Sequence, residues 1–465
     1  MALKVYNTLT RELEAFTPLE EGRVRAYVCG LTVYDDMHIG HARTYLAFDV
    51  IFRYLKYRGY ELSHVQNITD VDDKIIRRAG ERGVDPLELA SMYADRAAED
   101  RRELGLLEAD DYPRVSENIE EIIGAVETLV GKGCAYEVGG DVYFSVESHP
   151  EYGRLSNQDV EQLVEHRIEH DPGKRSPVDF ALWKSVGEDE PGFESPWGRG
   201  RPGWHIECSA MSRKCLGDRI DIHGGALDLI FPHHENEIAQ SESLTGGKPF
   251  VRYWLHTGFL QSSGEKMSKS LGNILPVREF LKFHSRDALR LFILQTHYRS
   301  PVDYSEDNIA SAEQAVARLR NYRKKLGENL DDAGEDGGNS AGKMSEELRE
   351  NFISHMDNDF NTPQAMAAVF ETLRDINTLL EGGGQSRKSI ENSIRIFDEL
   401  MSVTGLDVEY DTVTLKDDER YLMEERNRHR REKNYVEADR IRDLLLERGI
   451  RVVDRKDGTT VAERT

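Results

Sequence analysis

The N-terminal part of the chain alternates between strand-like and helix-like patterns. GRVRAYVCGLTVY alternates apolar and polar residues, which predicts a strand ending near Cys29 and Gly30. HIGHARTYLAFDVIFRYLKYRG has apolar residues at helical spacing and ends at glycine. YELSHVQNI and TDVDDKIIRRAGERG repeat this order of strand and helix. The alternation is typical of βαβ units, so we predict an α/β, Rossmann-like fold with a parallel sheet.

The alternation resumes after an interruption. DRIDIHGG predicts a strand and PHHENEIAQSESLTGG a helix, while the intervening residues are less regular and include a predicted hairpin at CAYEVGGDVYFSV. Beyond Ser305 the pattern is helical, and GIRVVDRKDGTTV near the C-terminus predicts a small hairpin with Asp457 and Gly458 at its turn. We therefore predict an α/β domain with an insert, an all-α helical bundle and a small C-terminal domain. The predicted boundaries are 1–119 and 201–260 for the two halves of the α/β domain, 120–200 for the insert, 261–310 for a connecting region, 311–405 for the bundle and 406–465 for the C-terminal domain.

Composition limits the class of protein. The chain has 465 residues, 38% hydrophobic and 31% charged, which is typical of a soluble globular protein with several domains. We find neither a signal peptide nor an apolar segment of about 18 residues. The 4 cysteines are too few and too scattered for a disulfide framework. We expect a cytoplasmic protein that does not enter a membrane.

The net charge is −24, which disfavours indiscriminate binding to polyanions. The segment RNRHRREK, Arg426 to Lys433, is locally basic. Taken alone, it is better explained as a solvated helix face. It would indicate a confined nucleic-acid contact only if the rest of the chain required one.

FPHHENEIAQ, residues 231–240, suggests a metal site. His233 and Glu237 are four residues apart, so one helix face could direct both side chains to one ion, although such pairs also occur by chance. Cys29 ends a strand, and Cys208 precedes the strand that leads into the histidine helix. The carboxyl ends of parallel strands share one crevice, where these four side chains could form a zinc shell. The alternative is that both cysteines are small buried apolar residues.

Two further motifs suit phosphate groups. HIGH places His38 and His41 at the start of a helix, where the helix dipole favours phosphate oxygens. SSGEKMSKSLGN places Lys266 and Lys269 in a loop that could close on a polyphosphate. Each motif alone could be a hydrogen-bonded histidine or an exposed charged loop. Together, in this order on an α/β sheet, they are highly specific.

HIGH and KMSKS resemble the paired signatures of the class I aminoacyl-tRNA synthetases. YVCGLTVYDDMHIGHARTY, NITDVDDKII, GRPGWHIECSAM and FPHHENEIAQ resemble the cysteinyl-tRNA synthetase family in particular. The resemblance runs over the whole chain and implies two steps. The carboxylate of L-cysteine attacks the α-phosphate of ATP, with Mg²⁺ accompanying the nucleotide, and the acyl group then moves to the terminal adenosine of tRNA(Cys).

The resemblance also implies roles for individual residues. His38 and His41 would contact ATP and the transition state, Lys266 and Lys269 would hold the pyrophosphate end, and Asp228 would contact the ribose or adenine. For Trp204, burial in the core is the alternative. The residues that match family positions at the amino acid are Gly30, Thr32, Thr69, Trp204 and His223.

One zinc ion per chain would be held by Cys29, Cys208, His233 and Glu237, and the substrate thiolate would bind that ion. Zinc favours thiolate sulfur over a hydroxyl, which would select cysteine over serine without an editing site. The insert at 120–200 looks too small to be an editing site. We expect His234 and Glu235 to lie off the metal-facing side, and Cys134 and Cys215 to serve ordinary packing.

The family further implies a monomer, a stem-contact region with the KMSKS loop at 261–310 and an anticodon-binding domain at 406–465. One alternative is a ligase that joins cysteine to an amino-sugar; another is a catalytically inactive zinc- or RNA-binding descendant. DALRLFIL, the helices beyond it and the basic segment favour the tRNA ligase over the first. Intact HIGH and KMSKS motifs and four intact candidate ligands argue against the second.

Overall fold

The computed structural model describes residues 2–159, 173–188, 190–262, 265–266, 274–408, 417–431, 434–448, 450–454 and 460–464. A β-hairpin opens the chain and precedes the first alternation of strands and helices. The elements before the insert are β1 (Lys4–Asn7), β2 (Glu12–Ala15), β3 (Arg23–Thr32), α1 (Ile39–Tyr57), β4 (Glu61–Thr69), α2 (Asp73–Arg82), α3 (Pro86–Glu103) and α4 (Ile119–Gly131).

Local sequence signals explain where these elements begin and end. The Asp72 carboxylate accepts a hydrogen bond from the Lys74 N–H at 2.7 Å and caps α2, which ends at Gly83 in the left-handed conformation (φ 65°). Strand β3 continues past its predicted end at Cys29 and Gly30 to Thr32, because an irregularity after Val28 lets it pair again with β4. The apolar stripe predicted for α1 is buried; its residues are Ala47, Val50, Ile51, Tyr54 and Leu55.

The insert contains an antiparallel sheet that packs against α4. The predicted hairpin forms its first two strands. Phe144, Phe180 and Trp183 lie in its apolar core. The strands are β5 (Ala135–Val138), β6 (Asp141–Phe144), β7 (Phe180–Ser185) and β8 (Gly200–Pro202).

The chain then completes the central sheet. The new elements are α5 (Trp204–Leu216), β9 (Ile220–Ala226), α6 (Glu235–Thr245) and β10 (Val251–Thr257). The strand order is β10-β9-β3-β4 and all neighbours are parallel, which confirms the predicted fold class. From β3, the next strand in the chain, β4, lies on one side, and the later strands β9 and β10 lie on the other. A crevice opens between β3 and β9 at their carboxyl ends, where such sheets bind ligands.

A three-stranded sheet and two short helices connect the central sheet to the bundle. These are β11 (Leu260–Ser262), β12 (Glu265–Lys266), α7 (Val277–Phe280), α8 (Arg286–Leu294) and β13 (Val302–Tyr304). The bundle comprises α9 (Glu306–Asp332), α10 (Ser340–Met356), α11 (Thr362–Glu381) and α12 (Arg387–Thr404). One apolar core runs from the parallel sheet through α8 into the bundle.

The C-terminal part consists of α13 (Asp417–Arg431), α14 (Tyr435–Glu447), β14 (Ile450–Asp454) and β15 (Thr460–Arg464). The predicted hairpin is present, and its predicted turn at Asp457 and Gly458 lies outside the described residues. Arg426 of the basic segment is buried, so a solvated face does not describe the whole segment. Among the described helices, none has the length and apolar composition required to cross a membrane.

Candidate functional site

A cavity of about 450 Å³ lies at the carboxyl ends of β3 and β9. Its position is that of the crevice expected from the strand order. Three of the residues predicted for the amino acid and three predicted for the nucleotide line it, together with one candidate metal ligand. They are Gly30, Thr32 and Trp204, then His38, His41 and Asp228, and lastly Cys29.

The two HIGH histidines are fixed by the start of α1. The Nδ1 atom of His38 accepts a hydrogen bond from the His41 N–H at 3.3 Å, and the Nδ1 atom of His41 accepts one from the His38 N–H at 3.4 Å. The two rings stack with centroids 3.6 Å apart. A Cβ atom on Gly40 would lie 2.9 Å from His38 Nδ1, so a larger residue there would displace the His38 ring. Both imidazoles are thus held at a helix N-terminus, which favours anions.

The remaining nucleotide candidates are placed to different extents. Asp228 lies in a single helical turn, Leu227–Leu229, directly after β9. The backbone of Lys266 belongs to β12, but its side chain and the whole of Lys269 lie outside the described residues. Lys74 of α2 also lines the cavity, and no spacing in the sequence singled it out.

The four predicted metal ligands meet beneath the cavity. One donor atom from each of Cys29, Cys208, His233 and Glu237 lies within 4.8 Å of the others, and all four residues are buried. The His233 Nε2 and Glu237 Oε1 atoms are 3.0 Å apart. Cys29 comes from the end of β3, as expected, whereas Cys208 lies on α5 rather than beside a strand end. We refer to these four residues as the metal cluster.

The chemistry of the metal cluster fits a cation. Burial raises the pKa of the Cys29 thiol and of the Glu237 carboxyl well above their ordinary values. A hydrogen bond with Cys29 lowers the pKa of the Cys208 thiol to about 7. The Glu237 Oε2 atom is buried without a hydrogen-bond partner among the described residues. Buried anionic groups need a partner, and a dication would keep the thiols and the carboxyl ionised. Two thiolates, an imidazole and a carboxylate suit zinc.

The prediction that His234 lies off the metal-facing side is wrong. Its Nε2 atom is 3.3 Å from Cys29 Sγ. The prediction considered only the spacing of four residues, but His234 lies three residues before Glu237, a spacing that also places two side chains on one helix face. Glu235 accepts a hydrogen bond from the Ser156 N–H at 2.7 Å, so its structural role is confirmed.

The other amino-acid candidates lie at different depths. Trp204 is 38% exposed and its ring is 4.4 Å from that of His233, so the alternative of core burial is wrong. Thr69 is buried and its hydroxyl donates to Glu207 Oε2 at 3.3 Å. His223 is fully buried behind Cys29, with Nε2 3.5 Å from the sulfur.

The sequence patterns did not identify one residue that contacts the metal cluster, His205. His205 Nδ1 lies 2.9 Å from His233 Nδ1 and can hold that ring in place. His205 and Cys208 are three residues apart on α5, a spacing that could have indicated a shared face. Cys134 and Cys215 are free thiols that do not belong to the cluster.

Comparisons with known proteins identify the family. Residues 15–314 match the family described as "tRNA synthetases class I (C) catalytic domain", and residues 351–409 match the DALR domain. A cysteine–tRNA ligase of Halalkalibacterium halodurans is 47% identical over 98% of both chains. A cysteine–tRNA ligase of Thermococcus onnurineus is 49% identical over 99% of this chain and 98% of its own.

Solved structures show the same fold at much lower identity. A methionyl-tRNA synthetase of Mycobacterium tuberculosis superposes with a TM-score of 0.64 at 15% identity, covering 83% of this chain and 91% of that one. The LeuRS of Agrobacterium radiobacter K84 gives 0.62 at 12% identity, covering 84% of each chain. The sequence matches, the parallel sheet and the HIGH histidines at its crevice agree: the chain belongs to the cysteine–tRNA ligase family of class I aminoacyl-tRNA synthetases.

Proposed function

We propose that this enzyme joins L-cysteine to tRNA(Cys) with ATP, through a cysteinyl-adenylate intermediate. The observation that carries the proposal is the position of Cys29, which belongs both to the metal cluster and to the wall of the cavity that holds the HIGH histidines. A group that binds thiolates therefore lies within reach of a site suited to phosphates. Relatives named cysteine–tRNA ligase match nearly the full length of the chain, which supports the same substrate.

At the nucleotide end, the chain's own residues act by position and charge. His38, His41 and the N-terminus of α1 would bind the phosphates, and Asp228 the ribose or adenine. Lys266 and Lys269, with Mg²⁺, would neutralise the pyrophosphate. A carboxylate oxygen of cysteine forms a bond to the α-phosphorus while the bond to the bridging oxygen breaks and pyrophosphate leaves. No general base is needed, because the carboxylate is already an anion.

At the amino-acid end, Cys29, Cys208, His233 and Glu237 would hold one zinc ion. Bound zinc would supply a preference for a thiolate over the protonated hydroxyl of serine. Gly30, Thr32 and Trp204 would enclose the amino acid, with Thr69 and His223 behind them. A pocket that reads shape alone discriminates only about 10- to 200-fold between such similar substrates. We infer that the metal makes an editing site unnecessary.

The rest of the chain supports tRNA as the acceptor. The DALR match, helix α8 and the C-terminal helices with their basic segment suit a reader of the tRNA stem and anticodon. A ligase for an amino-sugar has no use for them, so that alternative is less favoured. We propose a cytoplasmic monomer.

The test is a charging assay on the zinc-loaded protein with ATP, labelled cysteine and total tRNA, with labelled serine in parallel. We expect base-labile, acid-precipitable label from cysteine and not from serine. Cysteine-dependent exchange of pyrophosphate into ATP without label on tRNA would favour the amino-sugar ligase. Absence of both signals would contradict the proposed activity.

A further inference from the structure

We propose that a second set of metal ligands, Cys29, His223, His234 and Glu237, overlaps the metal cluster and gives one divalent ion an alternative position. The inference rests on the proposed zinc site and extends it to two histidines outside the four expected ligands. One donor atom from each of these residues also lies within 4.8 Å of the others, and all four are buried.

Four of the six distances between donor atoms lie close to those around a tetrahedral ion. Zinc–ligand bonds of about 2.0–2.3 Å place neighbouring donors roughly 3.3–3.8 Å apart. Cys29 Sγ lies 3.3 Å from His234 Nε2 and 3.5 Å from His223 Nε2. Glu237 Oε1 lies 3.6 Å from His223 Nε2 and 3.9 Å from Cys29 Sγ. Three of these distances fall within that range, the distance from Glu237 to Cys29 is slightly longer, and all pairs lie within 4.8 Å, so the set surrounds a space of about the size that one ion needs.

The surroundings hold both histidines in the orientation that a ligand needs. His234 Nδ1 lies 2.7 Å from His256 Nε2, and His256 Nδ1 lies 2.9 Å from Thr8 Oγ1. This chain of contacts directs the opposite nitrogen of His234 toward Cys29, as outer partners of ligating histidines do. The His223 ring packs 4.6 Å from Trp254, which fixes its plane.

The two positions differ in their distance from the cavity. Cys208 and His233 belong only to the first set, and His233 packs against Trp204 in the cavity wall. His223 and His234 belong only to the second set and pack on Trp254, which is fully buried. Because Cys29 and Glu237 are shared, an ion in the second position is retained by the protein but lies on the side of Trp254 rather than on the side of Trp204.

Two identical substitutions at different thiols test this inference. Cys208→Ala removes a ligand of the first set alone, whereas Cys29→Ala removes a ligand of both. After dialysis against zinc, we expect wild type and Cys208→Ala each to keep one ion per chain and Cys29→Ala to lose it. Elemental analysis gives the content, and Co²⁺ substitution should show a weaker sulfur charge-transfer band in Cys208→Ala, which retains one thiolate instead of two. Cys208→Ser should likewise keep the ion and lose cysteine-dependent pyrophosphate exchange.

Further variants separate this inference from the proposed function. His234→Asn added to Cys208→Ala should release the ion, and His256→Leu in that background should weaken binding by roughly 10- to 100-fold. Metal-free Cys208→Ala and His233→Asn proteins with wild-type circular dichroism would overturn the second set and leave the first intact. Equal metal content in Cys208→Ala with and without His234→Asn would also overturn it. A wild-type protein that binds no zinc would instead contradict the proposed zinc site.

Discussion

The metal cluster and a second group of buried charges show two ways in which this chain places polar atoms in its core. The second group, the junction cluster, consists of Asp49 and Arg53 of α1 and Arg290 of α8. The Asp49 carboxylate pairs with Arg290 and, at 2.8 Å, with Arg53 Nε. Arg290 also donates to the carbonyl oxygens of Leu104, Gly105 and Thr404 at 3.1, 3.1 and 3.3 Å.

The two clusters respond to burial in opposite ways. Burial alone would raise the pKa of Asp49, yet Arg290 and Arg53 hold it below its ordinary value. Within the described parts of the chain, no Lys or Arg side chain offsets the burial of the metal cluster, so the pKa of Glu237 is raised and its Oε2 atom lacks a hydrogen-bond partner. The junction cluster is completed by the chain itself and joins the α/β domain to the bundle. We propose that the metal cluster is instead completed by a bound ion, and incomplete pairing of this kind is typical of a functional site.

Removing the buried Arg290 cation of the junction cluster should have the largest effect on stability. Arg290→Met leaves the buried Asp49 carboxylate with Arg53 alone, and we expect a loss of about 3–5 kcal/mol in the free energy of unfolding. Urea unfolding followed by circular dichroism measures it. Arg286→Met on the same helix is the matched control: its pair with Asp407 is exposed, so the loss should be about 0–1 kcal/mol. Equal losses for the two variants would show that the junction cluster does not contribute as proposed.

Removing the metal should have a smaller effect, since the cluster lies within one domain. Zinc bound to the folded state stabilises it by about 2.7 kcal/mol when its free concentration is 100-fold above Kd. We expect the melting temperature of chelated protein to rise as zinc is added back, and not with Mg²⁺, which prefers oxygen ligands. Zinc should leave the deficit of Arg290→Met unchanged. A melting temperature independent of zinc would contradict a metal bound to the native state.

Much of the fold and of the metal cluster could be predicted from sequence. The parallel sheet, the insert hairpin and the helical bundle follow from periodicity, because the spacing of apolar residues is set by the element that buries them. The meeting of Cys29 with His233 and Glu237 follows from the geometry of parallel strands. The predicted proximity of Cys208 to these residues is confirmed, although Cys208 lies on α5 and not beside a strand end.

What could not be predicted depends on contacts between distant segments. The contact of His234 with Cys29 joins residues 205 positions apart, which the spacing within one helix does not reveal. The pairing of Asp49 with Arg290 joins residues 241 positions apart, and either residue alone reads as an ordinary charge on a helix. Sequence patterns thus locate the face that is buried, but not which buried charges find partners.

The smallest of the expected effects concerns His64, a histidine of β4 beside the junction cluster. Burial lowers the pKa of His64 to about 4. The carboxylates of Asp110 and Asp49 act to raise this pKa, whereas the positive charges of Lys56 and Arg101 act to lower it further. Its ring packs 4.5 Å from that of Phe52, and its Nε2 atom is buried without a hydrogen-bond partner among the described residues.

The direction of the pH effect follows from this lowered pKa. The unfolded chain binds a proton at His64 below about pH 6.5, while the folded state resists protonation until about pH 4, so stability falls as the pH drops through that interval. At pH 5 the loss from this residue should be about 2 kcal/mol. Unfolding of wild type and His64→Phe in urea between pH 7.5 and 5 measures it: the variant should have the flatter profile, because it has no proton to bind at this position. Parallel profiles would mean that His64 is protonated as readily in the folded state as in the unfolded one, and that the surroundings of the junction cluster admit a further positive charge without cost.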